Sequence, residues 1–145
     1  MRINYIHKEE DSIKGYENIH INHVSIAGDS LYGKCEDAEA KEIRAEYILE
    51  KFDFSKIGNI LDYWLKKLRL NGKLVIIGTE LYTLAKSIVT RNLGTQEINQ
   101  ALYAGDKKSL LSIFTLEDML LSRGFKIVQK RIDGFTYCII AERVK

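Results

Sequence analysis

The run Leu74-Val75-Ile76-Ile77 constrains the fold more than any other part of the chain. A strand from Lys73 to Gly78 would be apolar on both of its faces, because side chains alternate from one face to the other along a strand. That pattern is typical of a strand in a parallel sheet, which helices cover on both sides. We therefore expect this segment near the centre of an α/β sheet.

A helix is predicted directly before this strand, from Phe54 to Leu70, with Asn71-Gly72 as its left-handed exit. Its apolar side chains recur every three or four residues, which places them on one face, and polar side chains lie opposite. Upstream, Glu42 to Ala45 is predicted as a strand and Tyr47 to Phe52 as a helical turn or two. The whole is a strand, crossover, strand unit, which should be right-handed. The apolar set is Ile57, Ile60, Leu61, Trp64, Leu65 and Leu68.

Length and charge exclude several classes of protein. The 145 residues are predicted to form a single domain, residues 1–145. The net charge of +2, from 22 basic and 20 acidic residues, gives no strong signal for nucleic acid. No apolar run reaches membrane-spanning length, so we expect no membrane partner. Cys35 and Cys138 are far apart in sequence, which favours two reduced thiols in a cytoplasmic protein.

The first part of the chain predicts two strands, Arg2 to Ile6 and Glu17 to Ile21. The ten residues between them are fewer than a helical crossover normally needs, so any helix there should be vestigial. A short strand is expected around Val24 to Ala27. Because little helix would cover the first two strands, one apolar face of the sheet should stay open, which favours a homodimer.

The second half predicts three helices and a hairpin. The helices run from Leu81 to Asn92, from Thr95 with Thr95 as the cap, and from a capping-box-like run at Thr115 to Arg123-Gly124. The last two strands, Phe125 to Ile132 and Phe135 to Arg143, are joined by Asp133-Gly134, a strong hairpin signal. The fold class predicted is α/β: an open, mostly parallel sheet with helices on both faces and a C-terminal antiparallel hairpin. Ligands bind such sheets outside the carboxyl ends of the strands.

Several runs occur in the order of a known family. Asn4 to Lys8 stands where that family has an Asn-Leu-Gly-Cys-Gly turn, and Gly15 to His20 where it has a Gly-Tyr-x-Asn-Ile-Asp strand. Glu42 to Ala45 matches an Asp-Glu-Ile-x-Ala strand, and Tyr47 to Phe52 a His-Val-Leu-Glu-His-Phe helix. The chain thus resembles the compact class I, Rossmann-like S-adenosylmethionine-dependent methyltransferases.

The resemblance implies a cofactor site and shows where the chain departs from it. Asp37-Ala38 is positioned like the family's adenine-contacting pair, and Ala45-Glu46 follows the strand where substrate and cofactor meet. The family's glycines are replaced by Tyr5, Ile6, His7 and Lys8, and its ribose-binding acid by His20, which offers one acceptor nitrogen when neutral. The implied cofactor-binding residues are Asn4, Tyr5, Ile6, His7, His20, Asp37, Ala38, Ala45 and Glu46.

Two functions are open at this point. One is an S-adenosylmethionine-dependent methyltransferase that binds its cofactor weakly and acts on a small molecule or another acceptor; no catalytic residue is assigned. The other is a degenerate, non-catalytic relative that serves as a binding or assembly subunit. A metal site at His20-x-x-His23 is disfavoured because the two side chains would point to opposite faces of a strand. Four aromatic residues in predicted helices could stack a base but are predicted to be core: Tyr47, Tyr63, Trp64 and Tyr103.

Overall fold

The computed structural model describes residues 1–21 and 35–145, and these form six strands and four α-helices. The strands make one sheet in the order β2-β1-β3-β4-β6-β5. The first four of these run parallel, β6 is antiparallel to β4, and β5 is antiparallel to β6. The predicted mostly parallel sheet with a C-terminal hairpin is therefore confirmed. The strands are β1 (Arg2–Ile6), β2 (Glu17–His20), β3 (Ala40–Glu46), β4 (Leu68–Thr79), β5 (Phe125–Asp133) and β6 (Thr136–Arg143).

From β3 onward one α-helix lies between β3 and β4 and three lie between β4 and β5, as expected. Between β1 and β2 the chain makes only the short 3₁₀ turn Glu9–Asp11, as the length of that connection predicted. A second 3₁₀ turn, Leu49–Lys51, follows β3. The strand expected around Val24 to Ala27 lies outside the described residues. The helices are α1 (Phe54–Lys67), α2 (Leu81–Val89), α3 (Thr95–Tyr103) and α4 (Ile113–Leu121).

The core lies on one face of the sheet, where α1 and α4 pack. Trp64 of α1 is fully buried, and its ring centroid is 5.4 Å from that of Tyr5 in β1. Leu74 and Ile76 belong to the same cluster, whereas Val75 is buried on the opposite face. The predictions of an interior β4 strand and a buried Trp64 are both confirmed, because β4 is hydrogen-bonded to a strand on each side.

The boundary between α1 and β4 differs from the prediction. The helix ends at Lys67, and Asn71-Gly72 lies inside β4, where the pairing with β3 shifts register. Asn71 does adopt the left-handed conformation, with φ 61°. A Cβ on Gly72 would come within 2.9 Å of two backbone oxygens, so only glycine fits there. The predicted exit is thus a bulge in the strand, and the helix is closed from elsewhere: Arg143 donates to the carbonyls of Leu65 and Leu68.

The starts of α3 and α4 also correct the predicted caps. α4 begins at Ile113, two residues before Thr115, because the Ser112 hydroxyl accepts the Thr115 amide at 3.0 Å and so caps the first turn. For α3 the cap is Gly94, and Thr95 is already helical. α2 ends at Val89 instead of Asn92. Within the described residues, no helix is long and apolar enough to span a membrane.

Candidate ligand-binding site at the carboxyl ends of the strands

A cavity of about 590 Å³ lies at the carboxyl ends of β1 and β3. These strands are parallel neighbours, and β2 pairs with the other side of β1. The connection after β1 therefore runs to one side, towards β2, and the connection after β3 runs to the other side, towards β4. The gap between β1 and β3 is thus a topological switch point, where open α/β sheets bind ligands. One wall is formed by Asn4, Tyr5 and His7 with the β1–β2 connection, and the other by Glu46, Tyr47 and Glu50.

Asn4 holds the connection after β1 in place. Its amide nitrogen donates to the Asp11 carbonyl at 3.1 Å and to Asn18 Oδ1 at 2.9 Å. Asn18 in turn accepts the Ile13 amide and donates to the Ile13 carbonyl. Because Asn4 is 2% exposed and both of its donated bonds are internal, its amide nitrogen has a structural role at the cavity wall.

The end of β1 differs from the glycine-rich turn of the resembled family. The strand stays extended to Ile6, and the first positive φ after it is at Gly15. Ile6 and Ala45 are buried within the sheet and do not line the cavity. His7 does line it, and its Nδ1 is buried without a hydrogen-bond partner in the described chain.

His20 lies beside the cavity at the same edge of the sheet. It is the last residue of β2 and pairs in register with Ile6. Its ring centroid is 6.3 Å from that of His7, although His20 itself is not part of the cavity wall. His20 therefore lies at the same end of the sheet as the cavity, close to His7 but outside the cavity wall.

Asp37 and Ala38 lie at the opposite end of the sheet. Asp37 forms ion pairs with Lys67 at 2.9 Å and Lys66 at 3.1 Å, and the hydrogen bonds of these two lysines lower its pKa. The Ala38 amide donates to the Lys66 carbonyl, so the pair closes the end of α1. The seven residues of β3 separate this point from the cavity by roughly 20 Å. Asp37 and Ala38 were expected in the cofactor site, but they lie away from the cavity.

The end of β3 carries a strained residue at the cavity rim. Tyr47 has φ 54°, a conformation that costs a residue other than glycine about 1–3 kcal/mol. Two bonds hold it: its amide donates to the Ile77 carbonyl at 2.7 Å, and its hydroxyl lies 3.0 Å from Thr136 Oγ1. Tyr47 is 37% exposed and Tyr103 of α3 is 73% exposed, so the prediction that both are core is wrong. The neighbouring Glu46 lines the cavity and pairs with Arg44 at 3.0 Å.

Glu50 is one of the cavity residues that the sequence prediction missed. It follows β3 in the second 3₁₀ turn, is 6% exposed, and lines the cavity. Neither carboxylate oxygen has a hydrogen-bond partner of ordinary geometry in the described chain, and neither is accessible to water. Burial raises its pKa, which Lys107 Nζ at 3.9 Å and the Thr79 hydroxyl offset only in part. The resemblance did point to this position, because Glu50 aligns with the glutamate of the family run His-Val-Leu-Glu-His-Phe.

A loop after α3 covers the second 3₁₀ turn and completes the cavity. The amides of Lys108 and Ser109 both donate to the Glu50 carbonyl, at 2.7 and 3.3 Å. Lys51 Nζ donates to the Gly105 carbonyl. Gly105 has φ +72°, and a Cβ there would meet Lys51 Nζ at 2.6 Å. The positive φ favours glycine where the loop crosses the lysine.

A second buried carboxylate, that of Glu80, has the hydrogen-bond partners that Glu50 lacks. It is 1% exposed and accepts the amides of Tyr82 and Thr83 at 3.1 Å, with the Ile113 amide at 3.4 Å. These bonds cap α2 and link it to the start of α4. Glu80 therefore has partners for its charge, whereas Glu50 has almost none.

No group of three metal-ligating side chains is found in residues 1–21 and 35–145. His23, the second histidine of the weighed metal motif, lies outside these ranges. The site is built from carboxylates, lysines, His7 and Tyr47, so the chemistry it offers is the recognition of charged and polar ligand groups.

Comparison with protein-family models and with curated proteins finds no match. Solved structures do match. An O-methyltransferase family 2 protein from Planctomyces limnophilus, in complex with apigenin, is 17% identical at a TM-score of 0.59 and covers 89% of this chain. A SAM-dependent methyltransferase from Methanosarcina mazei is 13% identical at a TM-score of 0.58, and the match covers 78% of this chain. Human N-acetylserotonin methyltransferase, in complex with SAM, is 15% identical at 0.61 and covers 99%.

This chain spans 35%, 63% and 40% of those three proteins, in the same order. At such low identity the likeness concerns the fold alone. The chain has the class I, Rossmann-like methyltransferase fold, as its sequence predicted.

Proposed function

We propose that this chain binds S-adenosylmethionine in the cavity between β1 and β3 and transfers the methyl group to a small-molecule acceptor. The observation that carries the proposal is the position of the cavity. In a chain with the methyltransferase fold, about 590 Å³ of space lies at the switch point, within the range of small-molecule and cofactor sites. An acceptor of low molecular mass is also supported by one structural neighbour, which is in complex with apigenin.

The residues of the cavity fit a cationic cofactor. S-adenosylmethionine carries a positive sulfur and an amino acid group, and a buried carboxylate without a partner is stabilised by a nearby cation. Glu50 is such a group, whereas Glu46 at the same wall already pairs with Arg44. Lys8, also in the wall, offers positive charge to the carboxylate end of the ligand.

The reaction needs few groups from the protein. When bound, the cofactor supplies a methyl group that an acceptor atom takes as the carbon–sulfur bond breaks and its electron pair stays on sulfur. The wall at Tyr47 and Glu50 would orient the acceptor and exclude water from the reacting atoms, and positioning of this kind contributes most of the rate. The fixed loop at Gly105 closes the same wall.

The non-catalytic alternative rests on a specific observation. After β1 no residue before Gly15 has a positive φ, whereas the resembled family has a glycine-rich turn there, and His20 stands in place of the ribose-binding acid. A chain that retained the fold and lost the cofactor would serve as a binding or assembly subunit. Cofactor affinity separates the two functions.

We also propose that the protein forms a homodimer through the sheet face beside the short β1–β2 connection, and that it is cytoplasmic. A stable interface would bury on the order of 1,600 Å² in total. Sedimentation equilibrium at high micromolar concentration checks the dimer, and a monomer throughout that range would contradict it.

Titration calorimetry with S-adenosylmethionine and S-adenosylhomocysteine tests the function. Loss of the ribose acid removes charge-assisted hydrogen bonds worth about 1.5–3 kcal/mol each, so we expect a dissociation constant no tighter than tens of micromolar. The matched control is Asp37→Asn, which lies at the other end of the sheet and should leave binding unchanged. Submicromolar affinity would show that His20 is compensated, and no binding of either compound would favour the non-catalytic subunit.

A further inference from the structure

We infer that Glu50 makes this cavity selective for a positively charged ligand, so that S-adenosylmethionine binds more tightly than its neutral product S-adenosylhomocysteine. The inference rests on the proposed function for the identity of these two ligands. It concerns a property that the fold does not supply, because it depends on one side chain and its lack of partners.

The first argument is the contrast between the two buried carboxylates. Glu80 is held by backbone amides, as buried polar groups in folded proteins normally are. Glu50 is buried to a similar degree, and neither of its oxygens has a hydrogen-bond partner of ordinary geometry in the described residues. A group left in this state destabilises the ligand-free protein, and such exceptions occur where a ligand or a reaction makes use of them.

The second argument is that the neighbouring cation does not complete the site. Lys107 Nζ is 3.9 Å from the Glu50 carboxylate, beyond hydrogen-bond distance, and it donates instead to the Ala101 carbonyl at 2.6 Å. Lys51, the next residue along the turn, donates to the Gly105 carbonyl. Both nearby ammonium groups are thus engaged by backbone oxygens.

The third argument is the position of the charge. Glu50 lines the cavity, and its carboxylate oxygens lie just behind the wall, out of contact with water. A cation that enters the cavity interacts with this carboxylate across protein, where Coulomb interactions are several times stronger than in water, or directly after a rotation of the side chain. In either case a ligand with one more positive charge gains affinity.

The consequence concerns the order of events in catalysis. Methyl transfer converts the positive sulfur to a neutral thioether, so the attraction to Glu50 falls when the product forms. The residue therefore favours binding of the charged cofactor and release of the demethylated product.

The test compares both ligands in the wild type, Glu50→Gln and Glu46→Gln. By calorimetry at neutral pH, the wild type should bind S-adenosylmethionine about tenfold more tightly than S-adenosylhomocysteine. Glu50→Gln should abolish that preference while changing affinity for S-adenosylhomocysteine less than threefold. Glu46→Gln is the matched control, because Glu46 lines the same wall but already pairs with Arg44, and it should keep most of the preference.

The outcomes separate this inference from the proposed function. If both compounds bind the wild type with equal affinity, or if Glu50→Gln keeps the preference, the inference fails and cofactor binding stands. If neither compound binds, the proposed function fails, and nuclear magnetic resonance titration with trimethylsulfonium then decides the role of Glu50. Shifts at cavity residues that are lost in Glu50→Gln would support charge selection, and equal shifts in both proteins would overturn it.

Discussion

The two buried carboxylates should respond in opposite directions to the same substitution. Glu80→Gln removes the charge that caps α2 and keeps one acceptor oxygen. Two amide bonds at 3.1 Å are weakened, and hydrogen bonds to charged groups contribute about 1.5–3 kcal/mol each. Because one oxygen still accepts and the first turn of α2 is partly hydrated, we expect about half of the lower sum to be lost, or about 1–2 kcal/mol of unfolding free energy.

Glu50→Gln should leave the ligand-free protein equally stable or stabilise it by about 1 kcal/mol, since an unpaired buried group costs about 1–3 kcal/mol. Urea unfolding followed by circular dichroism measures both variants, and the slope of the transition should not change. Glu17→Gln, at an exposed position on β2, is the surface control and should stay within about 0.5 kcal/mol of wild type. A Glu50→Gln variant that loses 1 kcal/mol or more would refute the account of Glu50 as unpaired.

Three further predictions concern the site and the fold. His20→Asp should tighten S-adenosylmethionine binding about tenfold or more by calorimetry, because an acid would then stand at the end of β2; unchanged affinity would count against His20 as the ribose position. Arg143→Met keeps the side-chain stem but removes the donors to Leu65 and Leu68, and should lower the free energy of unfolding by about 1–2 kcal/mol. The stability difference between wild type and Glu50→Gln should depend on pH. The folded-state pKa of Glu50 is raised above its usual 4.5, so its contribution is greatest below pH 4.5 and is lost as pH rises through the raised value; a difference that stays constant with pH would contradict this.

The arrangement of the sheet was predictable because its signals are local. Leu74 to Ile77 is apolar on both faces, and Asp133-Gly134 favours a tight turn, so an interior strand and a terminal hairpin follow from sequence alone. The three-four spacing around Trp64 likewise fixed which face of α1 is buried. Element ends were less predictable, since the cap of α4 and the end of α1 depend on which hydrogen-bond partner comes within reach.

The site was only partly predictable because its residues are far apart in sequence and come together only when the strands pair in the sheet. Asn4, His7 and Glu46, which the resemblance singled out, all line the cavity, because the cavity lies where the parallel strands β1 and β3 end. The resemblance also placed Asp37 at the cofactor site, but lysines at the end of α1 hold that residue at the opposite end of the strands.

Glu50 marks the limit of what the sequence determined. Its residue type and its position after β3 are in the sequence, and they alone suggest a solvated side chain on a short turn. Whether a carboxylate is buried, and whether anything pairs with it, depends on the loop near Lys107 that crosses the turn from more than fifty residues away. Only the tertiary structure decides that, because desolvation is a property of the packed surroundings and has no local sequence signal.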